Sequence, residues 1–399
     1  MCIRDRNAID FESNNRFFLS NRIGYSLSSL YGGFYHLHQV NLKVNDNGFR
    51  FERNYSNQKI LIMKILKKIL KWFSLSIGLL ILTIVLAGLV SRLFSPKPQA
   101  PGELVNVGDY KLHINSTGVK NNKPTLVIES GAGAPGEHLH WLSEGLKDSI
   151  RVVRYDRAGI GYSELANSPS NVETAVHDLH KLLELAGESP PYIMAGHSYG
   201  GHYIRIFTKL YPEDVVGMVF LDSSHPDSGD RMNLPEEPWF FDPMYKMGVV
   251  LGDLGVLHLA DKYMGPFLWA PGLPQEINDR TKDYTYDGNF IRGFLRRDGN
   301  DEWAESLTEM SSATNDFGSL PIKVFSGTHQ RDEALRRFGV DPDNFRKVRR
   351  ELQQEIADLS SESELFFMDG GHVTIFSEKE NADFICEKIF RLLGEIEGK

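Results

Sequence analysis

Ser198 stands in Gly196-His197-Ser198-Tyr199-Gly200, a Gly-x-Ser-x-Gly pattern preceded directly by the apolar run Tyr192-Ile193-Met194-Ala195. That run reads as a short strand. The residues after the pattern, with Tyr203, Ile204, Ile206, Phe207 and Leu210 apolar and Pro212 as a stop, read as an amphipathic helix. A strand that turns this abruptly into a helix strains the backbone of its tip residue, and the positions two away on either side must lack bulk. Gly196 and Gly200 meet that need. The strain lifts the serine oxygen clear of the sheet and in front of a helix N-terminus. A serine hydroxyl is a poor nucleophile near neutral pH, so the arrangement asks for a base within hydrogen-bond reach. The bare pattern recurs by accident; the strand before it and the helix after it give it meaning.

Three further segments keep company with this turn: Val127-Ile128-Glu129-Ser130-Gly131-Ala132-Gly133, Arg154-Tyr155-Asp156-Arg157-Ala158-Gly159-Ile160-Gly161-Tyr162-Ser163 and Gly370-Gly371-His372. In this order they resemble the α/β-hydrolase family over residues 104 to 395, with a divergent middle. The resemblance implies a mostly parallel sheet flanked by helices, with Ser198 as nucleophile and His372, on the loop after the last strand, as base. It implies an oxyanion hole from the backbone N–H groups of Ala132 and Tyr199. Ser130-Gly131 replaces the family's usual histidine-glycine pair, a departure that leaves backbone donors untouched. For the triad acid two places compete. In Phe325-Ser326-Gly327-Thr328-His329-Gln330-Arg331-Asp332, Asp332 comes later than the family's spacing and Gln330 holds the expected position. At the end of the preceding strand, Val219-Phe220-Leu221 leads into Asp222. A carboxylate fixed there by a buried strand is costly without a partner, and His372 would be that partner. Asp222 is therefore preferred and Asp332 is the second choice; the competing reading has Asp222 merely capping the chain's way out of the sheet. Asp156 and Arg157 are read as a loop-bracing ion pair, His197 as facing away from the serine, and His138 and His140 as pocket walls or surface. Neither metal nor cofactor is expected.

The elements around these residues follow from periodicity. Thr125–Glu129, Val152–Tyr155, Tyr192–His197, Val215–Leu221, Ile322–Phe325 and Leu365–Met368 are apolar runs suited to strands buried on both faces. Leu104–Val107 and Tyr110–Asn115 flank a Gly108-Asp109 turn and read as a hairpin. Ser170 with Glu173, and Ser377 with Glu380, have the spacing of capping boxes at the starts of two helices. Strands alternating with helices imply a covered parallel sheet. Residues 225–320 break the alternation and crowd aromatics, among them Trp239, Phe240, Phe241, Tyr245, Phe267, Trp269, Phe290, Phe294 and Trp303. They resemble the helical lid that many α/β-hydrolases insert, and part of their apolar surface is expected over the serine. The core is thus expected in two parts, 104–224 and 321–399.

Before the core, Trp72 to Ser91 carry no charge, enough for about 30 Å of helix and so for a bilayer core. Lys64, Lys67, Lys68 and Lys71 precede this run and Arg92 and Lys97 follow. The heavier positive flank places residues 63–94 as a single-pass anchor with the catalytic domain outside the cytoplasm. The competitor is a signal peptide cleaved after Val85-Leu86-Ala87, giving a secreted or periplasmic protein. Residues 95–103 are a proline-rich spacer. Residues 1–62 show no sustained period and are expected to lack order or to precede a true start at Met63. His36 and His38 lack partner ligands and are not read as a metal site.

Composition narrows the partners. A net charge of −9 without a basic stripe argues against nucleic acid. Two cysteines, Cys2 and Cys386, allow no disulfide framework, and Cys386 falls in the apolar pattern of the last helix. The expectation is a membrane-anchored serine hydrolase acting on small-molecule carboxylic esters with apolar acyl groups, its oligomeric state open. With serine rather than aspartate at 198, dehalogenase and epoxide-opening chemistry is disfavoured. Peptidase, thioesterase, lactonase and carbon–carbon bond hydrolase activities stay open, as does a non-catalytic binding module on the same fold.

Overall fold

A computed structural model describes residues 41–45, 48–52, 55–94, 99–166, 171–233, 238–264, 270–297, 300–313, 316–329, 332–337 and 339–398. The chain forms two units, Met1–Ile77 and Gly78–Lys399.

In the first unit, β1 (Asn41–Asn45) and β2 (Gly48–Glu52) pair antiparallel, from Asn41↔Glu52 to Asn45↔Gly48. Apolar and polar residues alternate in both strands, and the sequence carries Asn47-Gly48 at the start of the second, a hairpin signal within a run too short to show a sustained period. His36 and His38 lie outside the described residues. Helix α1 (Tyr55–Phe94) starts well before the uncharged run. Its Lys59–Phe94 stretch is long and apolar enough to cross a membrane, and no other helix among the described residues is.

The second unit is built on an eight-stranded sheet. Its strands are β3 (Glu103–Asn106), β4 (Lys111–Gly118), β5 (Thr125–Glu129), β6 (Arg151–Tyr155), β7 (Tyr192–His197), β8 (Val215–Leu221), β9 (Ile322–Gly327) and β10 (Ser363–Met368), in the spatial order β10-β9-β8-β7-β5-β6-β4-β3. The β3–β4 and β4–β6 pairs are antiparallel and the other pairs parallel. The flanking helices are α2 (His140–Leu146), α3 (Val172–Leu185) and α4 (Gly200–Leu210). Between β8 and β9 come α5 (Ser228–Arg231), α6 (Phe241–Asp253), α7 (Val256–Met264), α8 (Gln275–Thr285), α9 (Gly288–Arg296) and α10 (Asp301–Ser312). After β9 follow α11 (Asp332–Arg337), α12 (Pro342–Ala357), α13 (Thr374–Ser377) and α14 (Lys379–Glu397).

Successive strand residues feed opposite cores, which is why these strands are apolar throughout. Val127, Met194, Met218, Phe220 and Val324 pack with α3, α4 and α12. Leu126, Ile193, Val219, Leu221 and Phe325 pack with α2 and α14. Cys386 is a buried free thiol on α14, and burial pushes it up to about 12. Cys2 lies outside the described residues.

The helix starts differ from the expected capping boxes. Ser170 is outside the described residues; Asn171 caps α3 by accepting from Thr174 N at 2.8 Å. Ser377 closes α13 and donates to Pro271 O, while α14 starts after Glu378. In the inserted helices Phe290 and Trp303 are buried, whereas Trp239, Phe240, Met244 and Met247 are exposed. Phe267 and Trp269 lie outside the described residues.

Candidate active site

The parallel strands deliver the chemistry to one edge. His197 pairs with Leu221, and Leu221 with Phe325, so the residues following β7, β8 and β9 emerge side by side. A parallel sheet places its crevice beyond the carboxyl ends of its strands.

Ser198 follows β7 with φ 53°, in the left-handed region that side chains avoid. The flanking glycines are sterically required. A β-carbon on Gly196 would come within 2.5 Å of Gly200 O, and one on Gly200 would run into Glu129 O. Asp222 follows β8 with φ 48°, a second strained residue one strand away. It is 2 % exposed. Its Oδ1 accepts from Gly327 N at 2.9 Å and from Ser326 Oγ at 3.3 Å, and its Oδ2 accepts from His372 Nδ1–H at 2.6 Å. His372 sits between β10 and α13, its side chain about half exposed. The structure thus joins Asp222 to His372 and sets both at the same sheet edge as Ser198.

Asp332, the second choice for the acid, is elsewhere. It opens α11 and pairs with Arg346 at 2.5 Å. Gln330 and Arg331 lie outside the described residues.

The segment after β5 packs directly on the serine. A β-carbon on Gly131 would come within 3.1 Å of Ser198 Cβ, which sets Ala132 beside it in the chain close to the serine. Tyr199 precedes α4 in helical conformation. On the far side of this segment, Phe294 of α9 fills the space over Gly133, where a β-carbon would lie 2.9 Å from its ring.

Three residues take on roles that the sequence pattern alone conceals. His197 is buried, and its Nε2–H donates to His372 O at 2.9 Å; the two rings lie 4.6 Å apart. It thereby holds the backbone of His372, the residue expected to be the base. Burial keeps it neutral, bringing it down to about 3. Arg349 of α12 pairs with Asp222 Oδ2 alongside His372. Burial would raise the Asp222 carboxyl, but the hydrogen bond from His372 and the charge of Arg349 hold it well below the usual carboxylate range. Gln353, one turn on, donates to Ser223 O at 2.8 Å and so ties the chain after Asp222 to α12.

The expected Asp156–Arg157 ion pair is replaced by two separate ones. Asp156 Oδ2 accepts from His113 at 2.7 Å and from Tyr162 N, and Oδ1 accepts from Gly136 N at 2.8 Å. Arg157 pairs with Glu129 at 2.5 Å and donates to Ser130 O at 2.8 Å. Neighbours on an extended loop point apart, so each reaches a different strand end. Together they clamp the segment carrying Ala132. His138 is buried and neutral, burial bringing it down to about 4, and His140 is partly exposed.

His225, Asp227 and Glu355 lie within 4.8 Å of one another, but Glu355 already receives both bonds of Arg231 Nη1, at 2.7 and 2.8 Å. A cavity of about 540 Å³ opens between α9, α10 and the Ala158–Leu165 loop; neither Ser198 nor His372 lines it.

The model of the alpha/beta hydrolase family matches residues 126–385. Among curated relatives, the probable transporter efuK of Hormonema carpetanum is 32% identical over 144 residues, covering 35% of this chain and 21% of its own length. The uncharacterized protein YbdG of Bacillus subtilis is 28% identical over 171 residues, covering 41% and 52%. The chain thus spans about half or less of these relatives. A crystal structure of a haloalkane dehalogenase loop variant, DbeA-M1 from Bradyrhizobium elkanii, superposes with a TM-score of 0.54 at 14% identity, covering 74% of this chain and 97% of that one. At that identity the likeness concerns the fold alone. The family match spans well over half of the sequence, and the chain belongs to the alpha/beta hydrolase family.

Proposed function

We propose that this protein is a membrane-anchored serine hydrolase that cleaves carboxylic esters through Ser198, His372 and Asp222. The observation that supports it most is the Asp222–His372 hydrogen bond of 2.6 Å, made at the sheet edge where Ser198 is held at φ 53°. With Nδ1–H engaged by Asp222, Nε2 of His372 is the nitrogen left to take the Ser198 proton. Ser198 Oγ attacks the ester carbonyl, and the backbone N–H groups of Ala132 and Tyr199 stabilise the oxyanion, each contributing about 3 kcal/mol. His372 then protonates the departing alcohol, and an acyl-serine remains. Water, activated by the same histidine, releases the acid and restores the hydroxyl. The inserted helices act as the lid, α9 reaching the oxyanion segment through Phe294. Residues 72–91 hold the domain at the membrane, on its extracytoplasmic side.

A fluorophosphonate probe tests this reading. The wild-type chain is labelled at Ser198, and Ser198→Ala and His372→Ala are neither labelled nor active on p-nitrophenyl esters. A scaffold kept only for binding would remain unlabelled in every form, and full turnover by either variant would reassign the chemistry.

A further inference from the structure

Helix α6 is apolar on both sides. Inward, Tyr245 packs on Phe294 at 5.6 Å between ring centres, and Gly248 and Gly252 let α6 approach Ile291 and Gly288. Outward, Phe240, Met244, Met247 and Val250 follow one another at helical spacing and are exposed, with Trp239, 86 % exposed, just before them. A contiguous apolar face of this kind on a folded domain marks a surface that something covers.

The end of the same helix bears on what would cover it. The turn from α6 to α7 lies against α1. A β-carbon on Gly88 would come within 2.5 Å of Leu254 O, and Gly255 takes φ 70° to pass Gly88. Arg92 Nη1 donates to Asp253 O at 2.6 Å, and Nη2 to Asp287 Oδ2 at 3.3 Å. Arg92 is the first charge after the uncharged run ending at Ser91, and so marks where a bilayer's hydrocarbon would give way to headgroups. Gly88 is one helical turn earlier, about 6 Å along the axis. The α6–α7 turn is therefore level with the interfacial layer. Lys246 and Asp242, paired at 2.7 Å, supply a charged rim beside the apolar face.

We propose that α6, with Trp239 and Phe240 ahead of it, is a membrane-docking face seated in the interfacial layer of the bilayer that α1 crosses, and that the enzyme takes its ester from that layer. The substrate class is then a bilayer-resident acyl ester rather than a freely soluble one. This rests on the membrane-anchored hydrolase reading above and deepens it. The path to the chemistry is short: Tyr245 of α6 meets Phe294, and Phe294 covers Gly133, the neighbour of Ala132.

The test uses the full chain in phosphatidylcholine vesicles. Two ester substrates are compared, water-soluble p-nitrophenyl acetate and a diacylglycerol dissolved in the vesicles. In the double variant Met244→Glu, Met247→Glu, turnover of the acetate stays at the wild-type level while turnover of the diacylglycerol falls about tenfold or more, a charge now resisting entry into the interface. Trp239 fluorescence is quenched by lipids brominated high on the acyl chain, and Trp239→Phe removes that component. Equal loss or equal retention on both substrates, or an unquenched Trp239, overturns the proposal. Cross-linking of two chains through Met247→Cys in vesicles, without lipid quenching, assigns the face to a second copy and overturns it too. Failure of the anchor reads differently: the chain washes off the vesicles in alkaline carbonate whatever stands at 244 and 247. A protein inert on both esters would remove the hydrolase reading, and the quenching would still decide the docking face.

Discussion

Asp222 Oδ2 answers to two side chains, His372 and Arg349, from inside a site almost closed to water. A buried carboxylate is tolerated when paired and hydrogen-bonded. Its two partners have different work in the proposed chemistry, and substitution separates them. Asp222→Asn retains the shape but loses the charge that orients and stabilises the imidazolium, and turnover falls by about four orders of magnitude. Asp332→Asn, at a surface pair with Arg346, leaves turnover near wild type; the opposite pattern in p-nitrophenyl ester kinetics would move the role to Asp332. Arg349→Met leaves Asp222 Oδ2 with His372 alone. It lowers stability by about 2 kcal/mol, less than the loss for a fully orphaned buried charge, and reduces turnover less than Asp222→Asn. A urea midpoint equal to wild type would show that Arg349 is dispensable. The arginine was within reach of sequence reading. Phe345, Leu352 and Ile356 are buried on α12, and Arg349 falls on their stripe at i+4, i+7 and i+11 spacing. An arginine on a buried stripe demands a buried anion, but the surrounding Arg346, Lys347, Arg350 and Glu351 disguise it as part of a solvated face.

At the scale of elements, the strands declared themselves because a sheet covered on both faces needs apolar residues at every position. The Gly-x-Ser-x-Gly turn was legible for a related reason: Gly196 and Gly200 are forced by contacts with backbone, so their identity carries geometry. Helix starts were less readable. Asn171 does the capping that Ser170 was expected to do, since either side chain can accept from a helix's first free amides. The side-chain direction of Asp156 and Arg157 depends on a loop that periodicity does not describe. The inserted helices could be placed as a block but not docked, because aromatic content says nothing about which face meets which neighbour. Their docking bears on selectivity. With Phe294 set over Gly133 and an apolar α6 behind it, turnover of p-nitrophenyl esters rises from acetyl to medium-chain acyl groups. A sharp preference for charged or very small acyl groups would contradict this.

For the whole molecule, acid is a predicted weakness with an identifiable source. His138, His197 and His202 are buried and neutral, burial bringing them down to about 4, 3 and 3. The unfolded chain protonates these groups below their ordinary value near 6.5 and the folded chain does not, so stability falls as pH drops through 6.5. At pH 5 each costs about 2 kcal/mol. His113 acts oppositely: burial lowers it, but the hydrogen bond and charge of Asp156 prevail and raise it, so its contribution is full on the acid side. With His140 and His225 also lowered by burial, the lowered histidines outweigh His113 and give a melting temperature that declines from pH 7.5 to 5, and a flat or rising profile would refute the balance. The order of strands has a consequence in time as well. Ser198 and Asp222 follow β7 and β8, whereas His372 arrives only after β10, an edge strand, has paired with β9. Domains made by ribosomes assemble from the N-terminal side. The nascent chain therefore carries the serine turn and the proposed acid throughout the synthesis of residues 223–371 with no proposed base to activate them. Chains stalled before β10 has emerged stay silent toward fluorophosphonate, and under the proposed chemistry activity appears in one late step, when the last strand docks.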